Sequence, residues 1–234
     1  VWKSSNLKGE RAISYNFSAD YYGKWYQLSI NLFRTNLKDK IQFSPADDEV
    51  KKFGYSYQWE NVDDAYVQGV ELGAKASLFR NFTAGLNWTF NKGKFKHERA
   101  EWSDPNDPSV QEFPQRLQYA KDSRYISRFP AMTGDIDLDY TPGTWSFSVT
   151  SSLQGKMYID YNSDDDGKTS KIKKTNTFMI FNCRAAKRFD MCTVYAGAKN
   201  IFGYIQDEKH TDDAAFMYAP VYGATWYVGL SVKL

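Results

Sequence analysis

The sequence predicts an all-β fold, an antiparallel sheet that crosses a membrane as part of a β-barrel. In the last nine residues, apolar side chains fall on one face of an extended strand and polar or small ones on the other. The apolar set is Trp226, Val228, Leu230, Val232 and Leu234. Acids and amides recur on the polar face of earlier stretches with the same alternation, as a hydrated barrel interior requires. These stretches also exceed the roughly five to six residues usual for strands of soluble proteins.

Composition argues against a helical membrane protein and against a nucleic-acid-binding protein. The chain is 17% aromatic and 25% charged, its mean hydropathy is −0.62 and its formal net charge is +2. No apolar run approaches the roughly 20 residues of a membrane-spanning helix, and no basic run with interleaved aromatic residues indicates a nucleic-acid groove. Barrel strands hide their apolar residues at alternate positions, so the low mean hydropathy leaves a membrane barrel open.

The first four predicted strands set apolar or aromatic residues against small polar ones. In chain order they cover 13–21, 26–32, 66–78 and 82–90. Their apolar faces include Ile13, Tyr15 and Phe17, then Leu28, Ile30 and Leu32, then Val70, Leu72 and Leu78, and finally Leu86, Trp88 and Phe90. Each set recurs with period two, which is the signature of a strand with two different faces.

Five more strands complete a prediction of nine. They cover 132–140, 145–159, 179–188, 193–199 and 226–234. Their apolar faces include Ile136 and Leu138, then Phe147, Val149, Leu153, Met157 and Ile159, then Phe181, Cys183 and Ala185, then Val194, Ala196 and Ala198, and last the C-terminal set. Thr141-Pro142-Gly143 between the fifth and sixth strands is a tight-turn signal.

Short and long connections alternate between these strands. The short ones lie near Gly23, Arg80-Asn81, Pro142-Gly143 and Asp190, and the long ones cover about 35–61, 95–125, 162–175 and 203–220. Short periplasmic turns and long extracellular loops are typical of barrels in the outer membrane of Gram-negative bacteria. We therefore expect the chain to begin on the extracellular side and end on the periplasmic side. Nine is an odd number of strands and an open sheet edge is unstable in lipid, so we expect the C-terminal part of a larger barrel.

The two cysteines are expected to be free thiols on the apolar face. With a turn at Phe189-Asp190, Cys192 lies opposite Lys187 and Cys183 opposite Ala196. That register separates the two thiols by roughly 13 Å, which is beyond the Cα separation of about 7 Å that a disulfide tolerates.

Four segments, in chain order, resemble segments of TonB-dependent outer-membrane receptors. They are Asn6-Leu7-Lys8-Gly9-Glu10-Arg11, Gly69-Val70-Glu71, Lys199-Asn200-Ile201-Phe202 with Tyr204, and Pro220 with the strand that ends at Leu234. Gly9 stands where the family usually has Pro, and Leu234 where its last strand usually ends in Phe. Tyr218-Ala219-Pro220 looks more like haem, iron or cobalamin receptors of Bacteroidota than like their glycan importers.

The resemblance implies a 22-stranded barrel, of which residues 1–234 would supply about the last nine strands, without the plug domain and the TonB box. It implies import of a large scarce nutrient, with an iron siderophore, haem or cobalamin foremost, energised by TonB. The expected partners are outer-membrane lipid, the plug of the same full-length protein and TonB, the last through the missing N-terminal part. A surface lipoprotein above the loops is left open.

The long loops are the expected ligand surface, because loops on a rigid scaffold carry recognition. Aromatic residues there can stack on a planar ligand or can pack as an interfacial girdle. The two histidines can coordinate haem iron or lie solvated. The candidate ligand residues are Tyr55, Tyr57, Trp59, His97, Trp102 and His210.

The segment 162–167 matches the first half of a calcium loop. Asn162, Asp164 and Asp166 supply oxygens at positions 1, 3 and 5, and Gly167 follows at position 6. Lys173 stands at position 12, where a bidentate Glu is expected, so a solvated acidic loop is the alternative reading. No other cofactor is expected.

The polar face carries charged groups of both signs, which in the family pair across the wall and hold the plug. Those singled out are Glu71, Lys75, Asp135, Asp137, Arg184 and Lys199. No nucleophile, metal cluster or phosphate loop accompanies the acids, so an enzyme is not expected. Two other functions stay open at this point: a passive porin-like barrel, and a soluble all-β binding or adhesion module.

Overall fold

The structure is a computed structural model that describes residues 2–3, 6–45, 48–55, 57–97, 124–126, 128–162, 170–206 and 219–233. Its elements are β1 (Trp2–Lys3), β2 (Arg11–Tyr22), β3 (Tyr26–Pro45), α1 (Asp48–Lys51), β4 (Tyr57–Phe79), β5 (Phe82–Phe95), β6 (Met132–Tyr140), β7 (Trp145–Gln154), β8 (Tyr158–Asn162), β9 (Ser170–Lys174), β10 (Phe178–Arg188), β11 (Cys192–Lys199) and β12 (Thr225–Val232). Within these ranges no helix has both the length and the apolar character needed to cross a membrane.

Nine strands lie side by side in the predicted antiparallel order. The sheet runs β12-β11-β10-β7-β6-β5-β4-β3-β2, and β1 adds a tenth strand by pairing in parallel with β4. β8 and β9 form a separate two-stranded sheet. The all-β prediction is confirmed, whereas β1 was missed because two residues are too short for a period to be recognised.

The chain divides into two compact units. The first holds Val1–Phe17, Phe33–Gly69 and Lys92–Ile126, and the second holds Ser18–Leu32, Val70–Asn91 and Ser127–Leu234. Four of the strands, β2 to β5, contribute residues to both units.

In the second unit, the predicted apolar face is exposed rather than packed into a core. Pairing aligns Leu138 with Val149 and Val149 with Cys183, and it aligns Val194 with Leu230. Val149 is 38% exposed and Leu230 is 61% exposed. Buried apolar residues are few among the described residues of this unit: Met157, Phe178, Ala186 and Ala198. A sheet that leaves its apolar face uncovered suits a hydrocarbon solvent, because a soluble antiparallel sheet packs that face against a core.

The short turns lie at the predicted places and are flanked by aromatic rings. Phe79 and Phe82 stack at 4.7 Å across the β4–β5 turn, and Trp145 stacks on Phe147 at 5.8 Å. Gly143 has φ +60°, which glycine adopts without steric cost, and this lets the backbone N–H of Trp145 donate to the Pro142 carbonyl at 3.1 Å.

The loop predicted at 35–61 is wrong over most of its length. β3 has 20 residues and β4 has 23, so strand pairing continues to Pro45 and resumes at Tyr57. Apolar and polar residues stop alternating near Phe33, so the sequence beyond it carries no periodic strand signal. The strands nevertheless continue, and polar side chains pair across them. The Arg34 Nη1 donation to Gln68 Oε1 at 2.8 Å is one such pair.

The sixth predicted strand, 145–159, is also interrupted. β7 ends at Gln154, and the backbone N–H of Gly155 donates to the Met132 carbonyl at 2.7 Å. A side chain at Gly155 would meet the Met132 backbone, so the turn needs glycine here. Beyond it Met157 is buried and packs with Phe178, whose ring stacks on the ring of Tyr204 at 4.9 Å.

Both cysteines are free, as predicted, but the predicted hairpin register is wrong by two residues. Cys183 pairs with Ala198 rather than Ala196, and the backbone N–H of Phe189 donates to the Cys192 carbonyl. The turn therefore covers Phe189–Met191 rather than Phe189-Asp190, since Lys187 pairs with Val194 rather than with Cys192.

Candidate functional site

The polar face of the second unit carries a network of small hydrogen-bonding side chains. Asp135 lies between Asn87 on β5 and Ser152 on β7, and Ser152 Oγ donates to Asp135 Oδ1 at 3.0 Å. Asp137 pairs with Thr150, which accepts a hydrogen bond from Asn182 Nδ2 at 3.2 Å. Ser152 therefore holds Asp135 directly, and both acids lie among neutral polar side chains on this face.

The other singled-out residues of this face follow the same alternation. Asn31 Nδ2 donates to Glu71 Oε2 at 2.8 Å, and Ser18 Oγ donates to Asn31 Oδ1 at 2.9 Å. Lys75 lies four residues beyond Glu71 on β4 and is exposed, as is Lys199 at the end of β11. The Arg184 guanidinium carbon lies 4.8 Å from the ring centre of Tyr195. The structure therefore places these residues on one face, while their role towards a plug stays a prediction.

Near the end of β5 in the first unit, His97 is tied to Asp63 of β4. The backbone N–H of His97 donates to Asp63 Oδ2 at 2.7 Å, and ring Nδ1 lies 2.9 Å from Asp63 Oδ1. Because a carboxylate only accepts, Nδ1 carries the proton, and a neutral ring then keeps Nε2 as its acceptor nitrogen. A carboxylate that orients a histidine in this way is the usual outer partner of a metal-binding imidazole.

The same contacts set the acidity of Asp63. Partial burial opposes ionisation, but hydrogen bonds from the His97 backbone, the His97 ring and the Asp64 backbone outweigh it and lower the pKa of Asp63 below its usual value. The carboxylate is therefore ionised at neutral pH and available to orient the ring. Sequence reasoning singled out His97 but missed Asp63, whose only signal was the Asp63-Asp64 pair on a polar strand.

The side chains of Asn61 and Glu10 fix the start of β2 and the residues before it to β3 and β4. Asn61 accepts from the Lys8 backbone N–H at 2.7 Å and donates to the Lys8 and Asp39 carbonyls at 3.0 and 2.6 Å. Glu10 Oε2 accepts from the Ile41 backbone N–H at 2.9 Å. Asn61 was also missed, because a lone amide in a polar stretch carries no sequence signal.

The aromatic ligand candidates divide among different elements. Tyr55 lies just before β4 and is half-buried, Tyr57 begins β4, and Trp59 lies on β4 with 43% of its surface exposed. Tyr57 and Trp59 are therefore strand residues, which corrects their predicted placement in a loop. Trp102 and His210 lie outside the described residues.

The calcium candidate lies almost entirely beyond the described residues. Asn162 is the last residue of β8, and Asp164 and Asp166 fall in the gap that follows. In the part of the chain that the structure describes, no group of three or more His, Cys, Asp or Glu side chains is arranged to hold a metal ion.

Comparison with known proteins identifies the architecture. The family described as "TonB dependent receptor-like, beta-barrel" matches residues 2–201. No curated protein matches the chain.

Several solved structures share the fold over nearly the whole chain. The copper transporter OprC has a TM-score of 0.65 at 21% identity, with 97% of this chain and 31% of OprC covered. The ferric enterobactin receptor PfeA of Pseudomonas aeruginosa has a TM-score of 0.64 at 20% identity, covering 97% and 32%. The ferric citrate transporter FecA has a TM-score of 0.64 at 18% identity, covering 94% and 31%. The chain thus spans about a third of the length of these proteins.

Proposed function

Since this chain belongs to the TonB-dependent receptor-like β-barrel family, we propose that it forms the C-terminal part of the barrel of an outer-membrane receptor. That receptor imports a large scarce nutrient with energy delivered through TonB, and this chain contributes wall and extracellular loops. It performs no catalysis. Lipid surrounds the wall, and the plug and the TonB box belong to the rest of the full-length protein.

The observation that carries the proposal is the division of the sheet into two unlike faces. One face leaves Val149, Val228 and Leu230 exposed, and the other holds Asp135 and Glu71 among hydrogen-bonding neighbours. Apolar-out and polar-in alternation is what a wall between hydrocarbon and water needs.

The two edge strands support a larger barrel. β2 and β12 stand at the ends of the described sheet order, and unpaired edges are too costly to remain open in lipid. We therefore propose that strands of the remaining protein pair with both and complete a barrel of 22 strands. Glu71, Lys75, Asp135, Asp137, Arg184 and Lys199 then face the plug.

The ligand class follows from the candidate side chains and from the similar structures. Those structures are a copper transporter and receptors or transporters for ferric enterobactin and ferric citrate. We propose a metal chelate for this receptor: an iron siderophore, haem or cobalamin. The rings of Tyr55, Tyr57, Trp59 and Trp102 would stack on it, and His97 or His210 would coordinate its metal. A calcium ion at Asn162, Asp164 and Asp166 and a surface lipoprotein belong to the same proposal.

The experiment is uptake by cells that express the full-length receptor, with and without a functional TonB. Radiolabelled ferric siderophores, haem and cobalamin are supplied in turn. The proposal expects accumulation of one of them only when TonB is functional. Equal accumulation without TonB would favour a passive pore, and a receptor that purifies from the soluble fraction would favour a binding module.

Ligand contact is tested with two substitutions and one control. Trp59→Ala and His97→Gln should each weaken binding of the transported chelate by about tenfold, the loss expected when a stacked ring or a metal ligand is removed. Phe189→Ala removes a ring that is 50% exposed and lies in the short turn between β10 and β11, outside the proposed ligand surface. Its affinity should stay within twofold of the unsubstituted receptor, and equal losses in all three variants would contradict the assignment.

A further inference from the structure

In the second unit, the apolar face of the wall contains a groove close to the short turns. Its volume is about 430 Å³, and its surface is almost wholly apolar. Ala74 and Ala76 of β4 and Ala84 of β5 line it, and their methyl groups leave the space that larger side chains would fill. All of its lining residues belong to the second unit.

Larger apolar side chains border the groove on two sides. Leu28 lies on β3, while Leu86 of β5 and Ile136 of β6 pair with each other on the other side. These residues and the three alanines share the parity of the apolar face, whereas Lys75, which also borders the groove, has the parity of the polar face. The volume falls in the range of about 300–1,000 Å³ that is usual for ligand pockets.

Two aromatic rings lie at the end of the groove that is nearest the turns. Trp25 and Tyr26 line it there, and their ring centres are 4.7 Å apart. The Trp25 carbonyl accepts from the Ser77 backbone N–H at 2.8 Å, and the Tyr26 carbonyl accepts from the Gly23 backbone N–H at 2.8 Å. Trp and Tyr concentrate at the head-group level of a bilayer. The groove therefore extends from the head-group level into the hydrocarbon.

Two cations lie in the turns at the same end. Lys24 precedes Trp25 between β2 and β3, Arg80 follows β4, and both are exposed. In the described part of the chain, neither of them pairs with a carboxylate. Asp20 and Asp139, near the same ends of β2 and β6, have the parity of the polar face. The turn end of the groove thus carries positive charge without an acidic protein partner.

We propose that this groove holds one acyl chain of an anionic phospholipid of the periplasmic leaflet, and that Lys24 and Arg80 bind the phosphate of that lipid. The short turns of an outer-membrane barrel face the periplasm, so the open end of the groove lies at the head groups of that leaflet. The inference rests on the membrane placement proposed above.

Shape and charge select this occupant. The lining extends from β3 to β6 across three strand spacings, about 14 Å, but covers only about 7 Å along β4 and β5. An unbranched chain fits such a depression, whereas a stable protein partner needs roughly 800 Å² of contact on this side. Two cations at one end favour a head group with a net negative charge, since lipid anions are drawn to exposed Lys and Arg.

The experiment measures lipid binding to the purified, delipidated full-length receptor in an uncharged detergent by native mass spectrometry. The probes are phosphatidylglycerol, phosphatidylethanolamine with the same acyl chains, and lipid A. Thermal unfolding with and without each probe is the second readout. Heat-resistant migration in gels verifies that each variant is folded.

Two variants test the two parts of the site. A76L/A84L fills the groove, and its control A185L/A196L adds the same bulk to two alanines that pair on the same face of β10 and β11. K24Q/R80Q removes the two cations, and its control R188Q/K233Q removes the same charge from exposed residues beside the β10–β11 turn.

We expect the unsubstituted receptor to bind phosphatidylglycerol at least tenfold more tightly than either other probe. A76L/A84L and K24Q/R80Q should each bind it at least tenfold more weakly, and both controls should stay within twofold. Phosphatidylglycerol should raise the unfolding temperature of the unsubstituted receptor but not of A76L/A84L, because a ligand that binds only the folded state stabilises it.

Three results would overturn the inference: either test variant within twofold of the unsubstituted receptor, equal binding of the two phospholipids, or tighter binding of lipid A. A receptor that transports its nutrient yet shows no such preference leaves the proposed function standing. One that never enters the outer membrane overturns both.

Discussion

At the scale of the residue, two glycines make room for two tyrosines between β11 and β12. Tyr195 pairs with Gly229 and Tyr227 pairs with Gly197, so each ring lies over a backbone without a side chain. The two ring centres are 6.3 Å apart, and Arg184 covers Tyr195. Rings that cover glycines in this way stabilise a strand pair that would otherwise lack cross-strand contacts.

The glycine pair predicts a ranked series of stabilities. Gly229→Ala meets only the far end of the Tyr195 ring, which can swing away, whereas Gly197→Ala also meets the Cys183 carbonyl oxygen. We expect Gly197→Ala to cost about 2–3 kcal/mol and Gly229→Ala about 1 kcal/mol, as overpacking does. Urea unfolding of the full-length receptor in detergent measures both. Gly9→Ala, which meets nothing within 4 Å, is the control, and a loss there as large as at Gly197 would refute the explanation.

The contact between Asp63 and His97 predicts a dependence on acid. Since the folded state lowers the pKa of Asp63, the stabilisation is present above the unfolded value of about 3.9 and is lost as pH falls through the folded value. Hydrogen exchange of the His97 backbone N–H should therefore lose protection below about pH 4. In Asp63→Asn, protection should be weaker at neutral pH and insensitive to this range. An identical acid response in both proteins would exclude Asp63 as the cause.

At the scale of the element, each strand is expected to separate lipid from water by its alternation. Single cysteines replacing Leu86, Ile136, Val149 and Leu230 should be shielded from a water-soluble thiol reagent in intact membranes, after Cys183 and Cys192 are replaced by Ala. Cysteines at the adjacent positions Asn87, Asp135, Thr150 and Ser231 should react, because they share the polar face. Equal labelling of the two sets would reject a membrane-spanning sheet.

The same elements show how far sequence reasoning reaches. β6 was predicted with the bounds that it has and β7 with the correct start, because Leu138, Phe147 and Val149 alternate with polar residues. The outer parts of β3 and β4 were missed because they are held by pairs such as Arg34 with Gln68 and by Asn61. Backbone ladders give no periodic signal when both faces are polar, and long-range pairing partners cannot be read from local composition.

The candidate site too could be predicted from the sequence only in part. The polar face could be predicted, since Glu71, Asp135 and Asp137 are fixed by the parity of their strands. The contact of His97 with Asp63 could not, because it joins residues that are 34 positions apart.

At the scale of the molecule, the edge strands β2 and β12 indicate that this chain is part of a larger barrel. The natural protein that carries it, extracted from outer membranes, should have a mass roughly three times its 27.0 kDa, in line with the 31% of OprC that it covers. Intact-mass spectrometry decides this. A natural protein near 27.0 kDa would require closure by several copies, and the single-chain receptor proposal would fail.

The register of the β10–β11 hairpin places the two native cysteines at different depths in the wall. Cys183 pairs with Ala198 and with Val149, whereas Cys192 pairs with Val232 beside the turn. The six residue steps from Cys192 to Ala198 separate the two levels by about 20 Å along the strand, which a tilt near 40° reduces to roughly 15 Å of depth. Paramagnetic labels on these two native thiols would therefore act as a ruler, reporting how deeply the protein sits and which way it tilts, without any introduced residue.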